Sequence, residues 1–193
     1  MPFPSLSDST AAERAYGPGN APKIAIAPGI QWKGADDKWE SLADAAVNDV
    51  TLRVDRTSPN DAKFELDYAL NAAGDQHTIE QYTINDSGVE MTDRLTGGPA
   101  PSAMRLRLPA LVSDGATDTT IQTTGDSAAI LNQGSKLTYK VLAPSAGVTL
   151  KLDGPRIPSH NGYMQAITTD VPVGQPVRFH ISLSQQSSPS APK

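Results

Sequence analysis

The chain has no cysteine among its 193 residues. That one absence excludes disulfide frameworks, thiolate metal sites and cysteine nucleophiles, and leaves the redox compartment open. No apolar run approaches the ~20 residues needed to span a bilayer, so no membrane is expected as a partner. Positive charge is in deficit, with 16 Lys+Arg against 21 Asp+Glu and a net charge of -5. Without a broad positive field to attract phosphate backbones, nucleic acid is not an expected partner. A local basic cleft for an acidic polysaccharide stays compatible with that balance. The opening MPFPSLSDSTAAERAYGPGN lacks the basic and apolar regions of a secretory signal. The expectation is either a cytoplasmic chain, if Met1 is the true start, or the mature portion or a fragment of something longer.

Catalytic signatures are missing as well. There is no GxSxG elbow, no Walker loop and no GxGxxG; "GPGN" and "TGGP" lack the lysine, strand and helix that phosphate binding requires. His77, His160 and His180 have no metal-ligand spacing, so neither a metal nor a cofactor is expected. His180 alternates with Phe179 and Ile181 and reads as the outward residue of a last strand.

What the sequence does hold is alternation with period two, the mark of strands with one buried face. Val50, Leu52 and Val54 alternate with Thr51, Arg53 and Asp55, and Phe64, Leu66, Tyr68 and Leu70 alternate with polar neighbours. Met104, Leu106 and Leu108 repeat the pattern, as do Leu137, Tyr139 and Val141; Val148, Leu150 and Leu152; and Val177, Phe179, Ile181 and Leu183. Turn chemistry separates these runs, in "TSPND", "NDSG", "TGGPAPS", "LDGP" and "PVGQP". The expected fold is therefore all-β: an antiparallel β-sandwich, a supersandwich-like meander of ten or more strands. At most one or two short helices are expected near the N-terminus, at "STAAERAYG" and at residues 37–47, where Trp39, Leu42 and Ala46 share a helical face. Pro/Ser-rich ends read as tails over 1–21 and 185–193, leaving one sandwich domain over 22–184.

Pairing follows from the turns. A four-residue hairpin loop at "NDSG", with Gly88 at the left-handed position, sets Ile84 opposite Val89, Tyr82 opposite Met91 and Glu80 opposite Asp93. Placing Phe64 opposite Ile84 then sets Leu66 beside Tyr82 and Tyr68 beside Glu80, with Arg53 near Glu65 and Asp55 near Lys63 on the other face. Val50 to Val54 on one side and Met104 to Leu108 on the other extend the same apolar face across five strands.

Glu80 and Asp93 are the candidate catalytic pair. Two carboxylates side by side on an apolar face raise one pKa and can serve as acid and base, while the same pair can equally be structural. Candidate ligand contacts are the tryptophans Trp32 and Trp39, as a stacking platform or as cover for the core, and His160, Asn161 and Tyr163 in a loop suited to a hydroxylated ligand.

The pattern "FELDYAL…HTIEQYTINDSGVEMTDRLTG…MRLRLPAL", closed by "NGYMQAITTDVPVGQPVRFHISL", resembles the β-sandwich toward the C-terminus of heparinase II/III-like polysaccharide lyases. More distantly it is similar to the supersandwich of other carbohydrate-active enzymes. The resemblance covers residues 48–184. It implies an accessory sandwich packed on a helical catalytic domain in the same or another chain, a polysaccharide as partner, and an extracellular or periplasmic location. No catalytic residue carries over, because Glu80-Gln81 occupy a position that is basic in the family. Two other readings stay open: a stand-alone glycan-degrading enzyme using Glu80 and Asp93, and a structural or adhesion domain that binds protein through a sheet edge.

Overall fold

A computed structural model describes residues 27–70, 75–159 and 162–185. All regular structure in them is antiparallel β, arranged as two sheets. The strands in chain order are β1 (Gly29–Lys33), β2 (Trp39–Ser41), β3 (Val47–Ser58), β4 (Asp61–Leu70), β5 (His77–Asn85), β6 (Gly88–Thr96) and β7 (Met104–Ser113). They continue with β8 (Thr120–Thr124), β9 (Ser127–Asn132), β10 (Ser135–Ala143), β11 (Lys151–Ser159), β12 (Gly162–Val171) and β13 (Val177–Gln185). The smaller sheet runs β11-β12-β7-β1-β2 and the larger β3-β4-β5-β6-β13-β10-β9-β8. This is the expected β-sandwich, with one topological difference: the meander ends at β6. The chain then crosses to the small sheet through β7, and β13 returns beside β6.

The core lies between the sheets, where Met91, Val177, Phe179, Ile181, Tyr139, Val141 and Ile130 of the large sheet meet Ile30, Trp32, Met104, Leu106, Leu108 and Ile167 of the small one. A hydrogen bond spans it from the Tyr139 hydroxyl to the Pro109 carbonyl at 2.8 Å. That bond supplies the polar partner a buried phenol requires.

Three expectations are corrected. Residues 37–47 form no helix. Trp39 pairs with Lys33 and Glu40 with Trp32, and a single turn, in which Asp44 and Ala45 donate to the Ser41 carbonyl, leads into β3. The Trp39, Leu42, Ala46 spacing suits a helix, yet an isolated helix that short is marginal, whereas β1 offers a ready ladder. The expected helix at "STAAERAYG" lies outside the described residues. Second, β4 pairs with β5 two residues from the expected register, with Phe64 opposite Tyr82, Leu66 opposite Glu80 and Tyr68 opposite Thr78. A slip of two preserves every face, so hydrophobic alternation is blind to it. Third, Met104, Leu106 and Leu108 belong to the small sheet and face the large one across the core. Hairpin β5–β6 has the expected pairs, but the ladder runs one pair further, Asn85 opposite Gly88, so the loop is the two residues Asp86 and Ser87 rather than the expected four. Arg53 lies opposite Glu65, and Lys63 reaches Asp55 at 3.1 Å.

The large sheet extends beyond its cover. All twelve residues of β3 are exposed, Val50, Leu52 and Val54 by 47%, 58% and 61%. With the half-buried Phe64 and Leu66 of β4 and Ile84 of β5, they continue the core-facing side of the sheet outward, with no second layer over them among the described residues.

Candidate functional site

Alternation along β5 points Thr78, Glu80 and Tyr82 to the core side, and pairing brings Asp93 of β6 opposite Glu80. Tyr68 of β4 and Tyr82 both donate to Glu80 Oε2, at 3.1 and 2.8 Å. The Tyr82 ring is held in turn by stacking on Phe64, with centroids 4.8 Å apart. Glu80 is buried and Asp93 almost fully enclosed, at 1% exposure.

The small sheet closes over this pair through a glycine. Gly29, at the start of β1, has φ +144°, and a Cβ there would stand 3.1 Å from Asp93 Oδ2 and 4.0 Å from Glu80 Oε1. Both carboxyl groups thus converge on the place that a side chain would take. Any larger residue would push the sheets apart or turn the carboxylates away. Neither Asp93 oxygen has a hydrogen bond of good geometry among the described residues, the Ile30 N–H approaching it only loosely, and the buried Thr78 hydroxyl has none either.

Burial, followed by the charge of Glu80, holds the Asp93 pKa well above the ordinary carboxylate value, and the Ile30 N–H opposes this only weakly. Burial raises Glu80 too, while hydrogen bonds from Tyr82 and Tyr68 pull it down. The phenols are raised by burial and then by the Glu80 charge, so both remain protonated donors. Both carboxyls are thus raised, Asp93 more strongly than Glu80, and they titrate as one coupled pair anchored by the two phenols.

A cleft of about 210 Å³ opens beside the pair, lined among others by Gly29, Gln31, Ser41, Thr78, Glu80 and Arg107. Glu80 reaches it; Asp93 does not line it. A carboxylic acid must come within hydrogen-bond reach of the group it protonates. Asp93 as enclosed here meets that condition only if β1 moves away.

The structure brings Glu80 and Asp93 together and separates the other candidates. Trp32 turns into the core, donating from Nε1 to Glu40 Oε2 at 3.2 Å. Trp39, seven residues on and paired with Lys33 across the β1–β2 hairpin, points to the opposite face. There the Arg105 guanidinium lies 4.1 Å from its ring centroid and the Lys33 ammonium 5.5 Å, so cations already occupy the ring that a sugar would stack on. Tyr163 is 43% exposed on β12, opposite Pro158. His160 and Asn161 lie outside the described residues. His77, at the start of β5, meets Asp67 Oδ1 at 2.7 Å, and His180 meets the Ser87 carbonyl at 3.0 Å.

Arg105 and Arg107 were not among the sequence candidates. Arg105 donates from Nε to Gln31 Oε1 at 2.8 Å and pairs with Asp153 at 3.3 Å, binding β7 to β1 and to β11 in one fan of contacts. Burial lowers the pKa of Arg107; Arg105 adds to that, and Asp44 and Asp153 oppose it. The signal was present in "MRLRLP", where arginines occupy the polar phase of a strand whose apolar phase is core. Among the described residues no group of three or more His, Cys, Asp or Glu is placed to hold a metal ion.

No protein-family model matches the chain, and no curated protein matches it in sequence. Solved structures do match in fold. A heparinase III is similar over 93% of this chain and 26% of its own, with TM-score 0.60 and 10% identity. A mutant of the heparan sulfate lyase HepC from Pedobacter heparinus is similar over 86% and 25%, with TM-score 0.56 and 12% identity. The α-N-acetylgalactosaminidase NagBb from Bifidobacterium bifidum, in complex with GalNAc, is similar over 83% and 31%, with TM-score 0.59 and 14% identity. At these identities the likeness is one of fold. The chain spans about a quarter to a third of the length of these enzymes.

Proposed function

We propose that this chain is a non-catalytic accessory β-sandwich of a polysaccharide-processing enzyme, seated on a larger catalytic region in the same or another chain. The observation that carries this reading is the core-facing side of β3–β5, where no described residue covers the exposed Val50, Leu52, Val54 and Ile84 or the half-buried Phe64 and Leu66 beyond the second sheet. A contiguous apolar face of that kind marks an interaction surface rather than a solvent face. In the carbohydrate-active enzymes of similar fold, the matching part is likewise a fraction of a longer chain. The enclosure of Asp93 agrees with a structural role for the acid pair. Under this reading the protein works outside the cytoplasm, and its contribution to glycan binding is part of a cleft completed by its neighbour.

Ile84, 38% exposed on that face, provides the test. Ile84→Lys leaves the thermal midpoint of the isolated chain nearly unchanged, because exposed substitutions shift stability by about 0.5 kcal/mol or less. The same change weakens capture of a helical catalytic region encoded alongside at least tenfold. Undiminished capture removes this face from the interface, and no capture by the wild-type chain removes the proposal.

A further inference from the structure

Among the described residues, the four outer strands of the two sheets are not equally protected against pairing with another chain. β2 has three residues and β8 five, while β11 is broken by a register shift between Asp153 and Ile157 and carries Pro155 and Pro158. Short length, irregularity and proline are the devices that blunt an edge. β3 has twelve residues with no proline, all exposed, and runs in unbroken register from Asp49 to Val54 between two bulges.

We propose that β3 pairs antiparallel with β3 of a second copy of this chain, centred on Thr51. Only residues of equal phase can lie opposite each other without turning one apolar set to the wrong face. Centring on Thr51 satisfies that rule and sets Asp49 opposite Arg53 of the second copy, Arg53 opposite its Asp49, and Val50 opposite its Leu52. Centring one residue later, on Leu52, places Asp49 against Asp55, and centring on Arg53 places that residue against itself. Opposite charges directly across strands stabilise pairing, and like charges oppose it. The chosen register also stays inside the regular stretch. Arg53 is free to serve both partners, since its side chain is 69% exposed and its own-chain contact to Glu65 is 3.4 Å. The apolar contacts across the junction cover part of the otherwise exposed Val50 and Leu52 side chains.

Asp49, Thr51 and Arg53 lie on the opposite face of the sheet from Ile84, so this pairing and the docking proposed above are tested independently. Sedimentation velocity of the full chain over a hundredfold concentration range is the experiment. Wild type shifts from monomer to dimer, and the midpoint moves to higher protein concentration as salt is added. Asp49→Arg alone and Arg53→Asp alone each weaken association at least tenfold, by juxtaposing like charges. The double variant and an equimolar mixture of the two single variants both recover it, because each restores two opposite-charge pairs. Asp49 and Arg53 do not meet within one chain, so no effect on one copy's stability mimics that recovery. A wild type that stays monomeric throughout, single variants that associate like wild type, or failure of both rescues overturns the proposal.

Discussion

Asp93→Asn isolates the buried acid pair from every other titrating group. Folding holds the Asp93 pKa well above its ordinary value of 3.8, first by burial and then through the Glu80 charge. Between the ordinary value and the folded one, the folded chain keeps a proton that the unfolded chain has released. Stability therefore falls as pH rises through that window, by about 1.4 kcal/mol per pH unit for one retained proton. It is fully present below the unfolded pKa, and the loss is complete above the folded pKa. Glu80 is shifted in the same direction and remains in both proteins. The other shifted aspartates, Asp36, Asp114, Asp118 and Asp126, are lowered, Asp114 to about 2 by the Thr117 and Ala116 N–H groups. Their windows close near pH 4, below the range that matters here. Asparagine keeps the size of aspartate and presents an N–H where the protonated acid presents its O–H. Urea unfolding, followed by fluorescence of the buried Trp32 between pH 4 and 8, gives the difference between the two proteins. The variant matches wild type within about 1 kcal/mol near pH 4. It then gains up to about 1.4 kcal/mol per unit until Asp93 ionises, where the curves become parallel. Curves parallel from pH 4 upward refute the claim that Asp93 is held protonated.

Two further outcomes test the packing. Tyr139→Phe deprives the buried Pro109 carbonyl of its donor and lowers unfolding free energy by about 1–3 kcal/mol, read from denaturant midpoints at unchanged slope. Gly88→Ala and Gly134→Ala both place a Cβ at positive φ, but at Gly88 it collides with the Ile181 carbonyl oxygen and at Gly134 it meets nothing within 4 Å. Gly134→Ala costs about 1 kcal/mol, whereas Gly88→Ala costs at least twice that or abolishes soluble folded protein; equal midpoints contradict the close approach of β6 to β13.

Hydrophobic alternation and one glycine turn were enough to place Glu80 beside Asp93, because a hairpin's register is set locally. They were not enough to assign strands to sheets. Met104, Leu106 and Leu108 alternate just as the strands of the large sheet do, and periodicity carries no information about which layer a strand joins. The Phe64 slip of two residues was invisible for the same reason, since it leaves both faces unchanged. β8 and β9 passed unnoticed because Thr, Gln and Ala dominate them, and only Ile121, Ile130 and the small Ala128 mark their apolar side. The convergence of both carboxyls at Gly29 needed the second sheet to be in place, so no local pattern announced it.

The claim that this chain does not itself catalyse is tested most directly by incubating it with a uronate-containing polysaccharide and following the ultraviolet absorbance of unsaturated products. The account predicts no rise above the protein-free control at any chain concentration. A rise that scales with the chain and vanishes in Glu80→Gln, with the circular dichroism spectrum unchanged, contradicts it and makes Glu80 and Asp93 a working pair.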